Sequence, residues 1–279
     1  MRRRAVLALA GGCVAAAAFA QTGSDPFQLS GRAEQGGLLL GTAPEGTVRL
    51  TLDGKPVPLA PGGRFLIGFD RDQGTSTVLQ AERASGAPLR QTIAVSPRSW
   101  RIENINVART PGGVPSEAYR IHRAGELKRI EAARAVNSSS EGWRQRFVWP
   151  ATGRISGLFG SQRVYRGEPA AYHSGVDVAP GSGAPVVAPA DGVVVLAGPP
   201  AFSLEGNLVI IDHGMGLNSA FLHLATNTVR EGQAVRQGQL IGTVGATGRA
   251  TGPHLHWSMK WIDARLDPQA LAGPMTPVR

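Results

Sequence analysis

The chain has little cysteine, few histidines and no long apolar run. Cys13 is its only cysteine, and six histidines are spread over 279 residues. The apolar stretch 5–18 is too short and too poorly flanked to span a membrane, so we predict no stable membrane insertion of the mature chain. Because Cys13 falls inside a predicted leader, the mature chain could form no disulfide. Any metal site in it must therefore use histidine and carboxylate ligands.

The N-terminus has the pattern of a targeting segment. Arg2, Arg3 and Arg4 precede the apolar stretch, and 18–20 (Ala-Phe-Ala) fits a small-x-small cleavage site. We predict that residues 1–20 are a signal peptide and that the protein is secreted, into a periplasm. The arginine pair also permits twin-arginine export, so the route stays open. A lipid anchor on Cys13 is disfavoured, because residues 10–12 lack the leucine usual before such cysteines.

The charge balance is basic, with a formal net charge of +9 that falls to +6 once the three leader arginines are removed. This suits an anionic partner such as an acidic wall polymer, although it also suits simple solubility. The sequence shows no basic–aromatic platform or recognition motif, so we predict no nucleic-acid partner. The 37 glycines and 20 prolines favour many turns and short strands.

Residues 22–108 are predicted to be a small β-sandwich-like domain. "VRLTLDGKPVPL" (48–59) has two alternating runs around Asp53-Gly54, a hairpin signal, and "RFLIGF", "STVLQAE" and "LRQTIAV" follow as further strands. The region has no histidine, no cysteine and no glycine-rich phosphate loop. We therefore predict that it is a spacer or binding domain without chemistry of its own.

Residues 115–137 are predicted to be a linker helix. Apolar residues recur there at steps of three, and "NSSSEG" (137–142) ends the pattern. The stripe comprises Ala118, Ile121, Ala124, Leu127, Ile130 and Ala133. The helix also carries His122, which we interpret as solvated and not as a ligand.

Residues 143–272 are predicted to form an antiparallel β fold. Short runs punctuated by glycine follow one another without helical periodicity, at 185–198, 206–214, 218–224 and 238–245. If "HLHW" (254–257) is a strand, His254 and His256 project from the same face and Leu255 from the opposite one.

These histidines have potential partners upstream. "HSGVD" (173–177) supplies His173 and Asp177, and His213 and His223 lie between the two motifs. Zinc accepts histidine nitrogen and carboxylate oxygen, and a catalytic zinc site typically has about three protein ligands. Three ligands with one or two acid–base imidazoles are a chemically sufficient set for hydrolysis.

The stretches from residue 147 onward that carry a family resemblance are "FVWPATGRISGLFG" (147–160), "HSGVDVAP", "GNLVIIDHGMGL", "FLHL" and "GPHLHW". In this part the chain resembles the M23 zinc metallopeptidases, the lysostaphin- and LytM-like group. Order and spacing match throughout this part. The resemblance implies antiparallel β sheets with a groove whose floor holds Zn²⁺. It implies that His173, Asp177 and His256 are the metal ligands, and that His223 and His254 are the catalytic pair.

The resemblance also leaves some positions open. Tyr165 lies where some members place an oxyanion-stabilising tyrosine, but it could equally be a groove-wall residue. Phe221 stands where the family often has tyrosine, and Ser258 where glutamate is common. His213 falls outside the family's five positions, and we interpret it as a structural residue.

Two hypotheses about function follow. The first is a secreted zinc metalloendopeptidase that hydrolyses peptide crosslinks of bacterial peptidoglycan. We expect D-Ala–diaminopimelate bonds, because no wall-binding repeat is recognisable and a periplasmic wall mostly carries direct crosslinks. The alternative is a non-enzymatic LytM-like module that binds wall peptides or activates another hydrolase. Relatives of that kind usually lack a metal residue, and all five positions are filled here, which favours the enzyme.

Overall fold

A computed structural model describes residues 26–107 and 115–275. The predicted signal peptide, with Cys13, lies outside the described residues. The described chain is mainly β, and one long helix separates the N-terminal strands from the C-terminal ones, as the sequence predicts.

The N-terminal strands form two antiparallel sheets, in the orders β1-β2-β5 and β4-β3-β6-β7. The predicted hairpin around Asp53-Gly54 is confirmed: β3 pairs with β4, and both turn residues have positive φ, at 47° and 80°. Such a pair is typical of the two-residue turn that matches strand twist. The strands are β1 (Gln28–Gly31), β2 (Leu38–Thr42), β3 (Thr47–Leu52), β4 (Lys55–Val57), β5 (Arg64–Gly68), β6 (Ser76–Arg83), β7 (Leu89–Ala94) and β8 (Ile102–Ile105), with a 3-10 turn at Pro61–Gly63.

Twelve further strands follow within the described residues. They are β9 (Arg154–Gly157), β10 (Gln162–Tyr165), β11 (Glu168–Pro169), β12 (Val176–Ala179), β13 (Pro185–Val187), β14 (Gly192–Leu196), β15 (Asn207–Asp212), β16 (Leu217–Asn227), β17 (Ala234–Val235), β18 (Leu240–Val244), β19 (Leu255–Trp261) and β20 (Ala264–Leu266). Ten of them make one antiparallel sheet with the central order β17-β14-β15-β16-β19-β12-β9, β18 joining β13 to β16 and β20 flanking β19. A separate sheet pairs β8 with β10 in parallel and β10 with β11.

The N-terminal and C-terminal strands share one hydrophobic core. Strand β5 is buried along Phe65, Leu66 and Ile67, without the alternation of a strand that has one face in solvent. A side chain at Gly68 would collide with Leu266 of β20 at 2.8 Å. Buried Arg71 adds a hydrogen bond between the N-terminal and C-terminal parts of the chain, because its Nε donates to the carbonyl of Gly160 at 3.1 Å.

Two helices are present in the part of the chain that the structure describes, α1 (Glu117–Arg134) and α2 (Pro268–Ala272), with a 3-10 turn at Gly142–Arg144. Neither is long and apolar enough to cross a membrane. Helix α1 begins at the cap residue Ser116, whose Oγ accepts from the backbone N–H of Tyr119 at 3.1 Å.

The predicted apolar stripe of α1 is only partly buried. A step of three falls short of the 3.6-residue turn, so the stripe winds around the helix. Ile121 and Leu127 are consequently exposed, whereas Ala133 is buried and Ile130 packs beside it on β14, β15 and β16. The other buried residue of α1 is a charged one, Glu126.

Glu126 joins α1 to the loop before β15. Its carboxylate accepts hydrogen bonds from the backbone N–H and hydroxyl of Ser203, at 2.5 and 2.6 Å, and from Arg123 at 2.9 Å. Burial alone would raise the pKa of Glu126, but these hydrogen bonds lower it to about 2. Arg123 also holds Glu205 through two hydrogen bonds of 2.7 Å each.

We expect Glu126→Gln to lower the free energy of unfolding by about 2–4 kcal/mol, because it leaves buried donors poorly matched. The matched control is Glu117→Gln on the same helix, whose exposed pair with Arg120 should contribute less than about 1 kcal/mol. Urea unfolding measures both. The pKa of Glu126 is about 2 in the folded protein and about 4.5 in the unfolded chain. The difference in unfolding free energy between wild type and Glu126→Gln should therefore be full above about pH 4.5 and shrink as the pH falls to about 2. Equal losses in both variants would contradict this assignment.

Candidate metal centre and adjoining histidines

Three of the predicted residues converge on one point of the ten-stranded sheet. Strand β12 pairs antiparallel with β19 so that Asp177 lies directly opposite His256. His173 precedes β12 and turns back onto the same pair. One ligand atom from each of the three residues lies within 4.8 Å of the others, an arrangement that could hold a metal ion.

The distances within this cluster are short. Asp177 Oδ1 lies 3.1 Å from His173 Nε2 and 2.9 Å from His256 Nδ1, and the two imidazole nitrogens are 3.0 Å apart. The other ring nitrogen of His173, Nδ1, lies 3.0 Å from the carbonyl of Leu158. A proton on Nδ1 would be donated to that carbonyl, which leaves the Nε2 lone pair facing the cluster.

The electrostatics suit a cation. Burial would raise the pKa of Asp177, but hydrogen bonds with His173 and His256 hold it below its usual range, so the side chain is a carboxylate at neutral pH. Burial lowers the pKa of His256, which favours the neutral imidazole that ligates metals. Burial is the largest single influence on His173 and lowers its pKa, but the hydrogen bond to Asp177, the charge of Asp177 and the contact with the Leu158 carbonyl together raise it.

Two glycines that sequence reasoning did not single out make room for the cluster. A Cβ at Gly157 of β9 would lie 2.3 Å from Asp177 Oδ2, and a Cβ at Gly175 would lie 2.7 Å from His256 Nε2. Only a residue without a side chain allows such close approach. The local sequence carries no signal for this, because the clash is with residues brought in from neighbouring strands.

His223 and His254 lie beside the cluster. Their ring centroids are 4.9 Å apart, His223 is 6.4 Å from His256, and His254 Nε2 lies 3.9 Å from Asp177 Oδ1. Each ring has its Nδ1 at 2.8 Å from a backbone carbonyl, that of Thr247 for His223 and that of Gly252 for His254. This arrangement fixes both rings and leaves each Nε2 free for chemistry.

His223 reaches this position through a kink in β16. Its neighbours Phe221 and Leu224 face the main core, and a regular strand would turn His223 toward that core as well. A φ of 64°, rare for a residue other than glycine, redirects it. The backbone N–H of His223 donates to the carbonyl of Glu205 at 2.9 Å, so the loop that α1 anchors also holds this kink.

The other predicted residues lie elsewhere. Tyr165 is half-buried on β10, in the separate sheet with β8 and β11, and its proposed role as oxyanion stabiliser stays a prediction. His213 is fully buried between the carbonyl of Asp191 and the hydroxyl of Ser219, both at 2.8 Å. Burial lowers its pKa to about 4, which fits the structural role predicted for it. His122 is exposed on α1.

Comparison with known proteins agrees with this geometry. Residues 171–268 match the profile of Peptidase family M23. A crystal structure of a putative M23 peptidase from Pseudomonas aeruginosa is 30% identical, with a TM-score of 0.65 over 88% of this chain and 96% of that one. The chain belongs to peptidase family M23. The fold and the family predicted from the sequence are thereby confirmed.

Two curated relatives match a part of this M23 chain. The peptidoglycan DD-endopeptidase ShyA of Vibrio cholerae is 40% identical over 116 residues, which cover 41% of this chain and 26% of ShyA. The DD-carboxypeptidase/endopeptidase Mpg of Neisseria meningitidis is 40% identical over 125 residues, which cover 43% of this chain and 27% of Mpg. The matched part thus spans about a quarter of these relatives' length.

We expect Gly157→Ala to weaken binding of a divalent probe ion by about 10-fold or more, because the added methyl displaces the Asp177 carboxylate. Titration with Co²⁺, followed by its visible absorption, measures the affinity. The control is Gly74→Ala, where an added Cβ meets nothing within 4 Å. Unchanged Co²⁺ affinity in a folded Gly157→Ala protein would show that Asp177 is not a ligand.

Proposed function

We propose that this chain is a zinc metalloendopeptidase that hydrolyses peptide crosslinks of bacterial peptidoglycan. The observation that carries the proposal is the convergence of His173, Asp177 and His256, with His223 and His254 beside them. The names of the relatives ShyA and Mpg support the substrate class. In this proposal residues 143–272 are the peptidase domain, 115–137 the connecting helix and 22–108 an accessory β domain.

The donor set fits zinc. Two imidazole nitrogens and one carboxylate oxygen converge, which is the ligand number of a catalytic zinc site with one position left open. When bound, zinc polarises the scissile carbonyl and lowers the pKa of water to about 7. The carbonyl of Leu158, at 3.0 Å from His173 Nδ1, would keep that ligand in the correct tautomer.

The chain's own residues would handle the protons. One of His223 and His254 accepts a proton from the attacking water at Nε2 and delivers it to the nitrogen of the leaving amine as the C–N bond breaks. The other ring gives its Nδ1–H to a backbone carbonyl, so it donates a hydrogen bond from Nε2–H to the oxygen that gains charge only in its doubly protonated form. Both rings are already oriented by their Nδ1 contacts, and burial lowers the pKa of His223, which favours a neutral base.

We further propose that the protein acts in a periplasm on directly crosslinked D-Ala–diaminopimelate bonds. The location rests on the predicted signal peptide 1–20, and the bond on the similarity to a protein named a peptidoglycan DD-endopeptidase. Tyr165 is kept in the proposal as a second candidate to stabilise the oxyanion.

We expect protein purified without chelator to hold about one zinc per chain, as a three-ligand catalytic site should. His173→Ala should lose most of it, whereas His122→Ala, which removes an exposed histidine of α1, should retain it. Metal analysis of the folded proteins measures both. Full zinc occupancy in His173→Ala would remove His173 from the ligand set.

We expect His223→Ala and His254→Ala to keep zinc but to lose about 10²–10⁴-fold in hydrolysis, the usual contribution of general acid–base catalysis. The assay is release of monomers from a purified, directly crosslinked wall, with and without chelator. A pentaglycine-bridged wall serves as the comparison substrate and should stay intact. Cleavage of neither wall by zinc-loaded wild type would favour the non-enzymatic, wall-binding alternative.

A further inference from the structure

A groove leads away from the metal cluster along β19. His256, Ser258 and Lys260 lie on one face of this strand, because alternate residues of a strand point the same way. A cavity of about 700 Å³ begins at Ser258 and at Ser174, the neighbour of His173, and α1 forms its other wall. The cavity therefore adjoins the cluster and extends along the sheet away from it.

Strand register gathers three cations in this groove. Lys260 lies directly opposite Arg265 of β20 on one side and opposite Asn218 of β16 on the other. Arg134, from the last turn of α1, donates from Nη1 to Asn218 Oδ1 at 2.5 Å. Arg134, Lys260 and Arg265 thus line the same cavity, although they come from a helix and two different strands.

No acidic side chain in the described ranges neutralises these cations directly. Among the described residues, no carboxylate oxygen lies within 4 Å of the charged side-chain nitrogens of Arg134, Lys260 or Arg265. The backbone N–H of Arg265 does donate to Asp70 Oδ2, at 2.8 Å. Two acids line the cavity, Glu131 and Asp263, and the ion pair that Asp263 makes is with Lys55, at 3.9 Å. Like charges therefore face one another in a partly enclosed space, and an anion placed among them would relieve the repulsion.

Burial and the neighbouring positive charges act together on two of these cations. Burial, and then the charge of Arg265, lower the pKa of Arg134 to about 10. Burial, and then the charge of Arg134, lower the pKa of Lys260. The guanidinium of Arg265 lies over the ring of Tyr172, 5.5 Å from its centroid. The hydroxyl of Tyr172 donates to Asp70 Oδ1 at 3.3 Å, so Asp70 is the acid nearest to this end of the groove.

We propose that Arg134, Lys260 and Arg265 form a subsite that binds a free carboxylate of the substrate peptide. This inference rests on the proposed function and adds a substrate class to it, an acidic peptide. Lys260 is four residues beyond His256, about 13 Å along an extended strand. An extended peptide covers that distance with about four residues. A directly crosslinked stem peptide carries carboxylates at such distances, whereas a glycine bridge is uncharged along its length.

The test compares two forms of one crosslinked peptide dimer, with free carboxylates and with the carboxylates amidated. Wild type should prefer the free acid by about 10-fold or more in kcat/KM, the usual worth of a charge-assisted contact. Lys260→Gln should raise KM for the acid about 10-fold, leave kcat near wild type and abolish the preference. Arg265→Gln should do the same. The control is Lys128→Gln, an exposed lysine of α1 outside the cavity lining, which should keep the preference.

A binding measurement separates failure of this inference from failure of the proposed function. The uncrosslinked stem tetrapeptide and its amidated counterpart are titrated calorimetrically into wild type and Lys260→Gln, after circular dichroism shows that the variant is folded. Tighter binding of the acid, lost in Lys260→Gln, supports the subsite even if no wall is cleaved. Equal binding of acid and amide by wild type, including no binding of either, overturns it.

Discussion

The register between β12 and β19 is the constraint on which the rest of the site depends. Val176 and Val178 of β12 alternate with Asp177, and Leu255 and Trp257 alternate with His256; these four apolar residues are fully buried. Burying a side chain of this size contributes about 1.5–3 kcal/mol, so the core strongly disfavours a one-residue slip. The same slip would turn Asp177 and His256 into the core. Apolar packing on one face therefore positions the polar cluster on the other.

The adjoining histidines depend on a second constraint, the kink at His223. A left-handed residue other than glycine costs about 1–2 kcal/mol, and that cost must be offset nearby. The carbonyl of Thr247 accepts from the ring of His223, and the carbonyl of Glu205 accepts from its backbone N–H. Arg123 of α1 in turn donates to the carboxylate of Glu205. Helix α1 therefore does more than connect two parts of the chain. It forms a wall of the groove and anchors the loop that keeps one acid–base candidate in place.

Much of this could be predicted from the sequence, for identifiable reasons. Asp53-Gly54 predicted its hairpin because that signal is local. The period of two in "HLHW" is only partly confirmed: β19 begins at Leu255, so His254 lies just before the strand, although both histidines approach Asp177. The family resemblance supplied the set of five polar residues. Spacing could not predict the uninterrupted burial of β5, the role of Gly157 or the burial of Glu126, because each depends on a partner far along the chain. The sequence pattern of β16 likewise does not predict the left-handed backbone conformation of His223.

One departure from the family pattern gains a physical meaning from the groove. Ser258 stands where glutamate is common in the resemblance, two residues from Lys260 and on the same face of β19. A carboxylate there would lie about 7 Å along the strand from Lys260, close enough to attract it across a partly enclosed space. It would also fill the floor between the cluster and the cations. A small hydroxyl leaves that passage open and leaves the charge of Lys260 for a ligand. Ser258 and the three cations therefore line one continuous passage that begins beside the metal cluster.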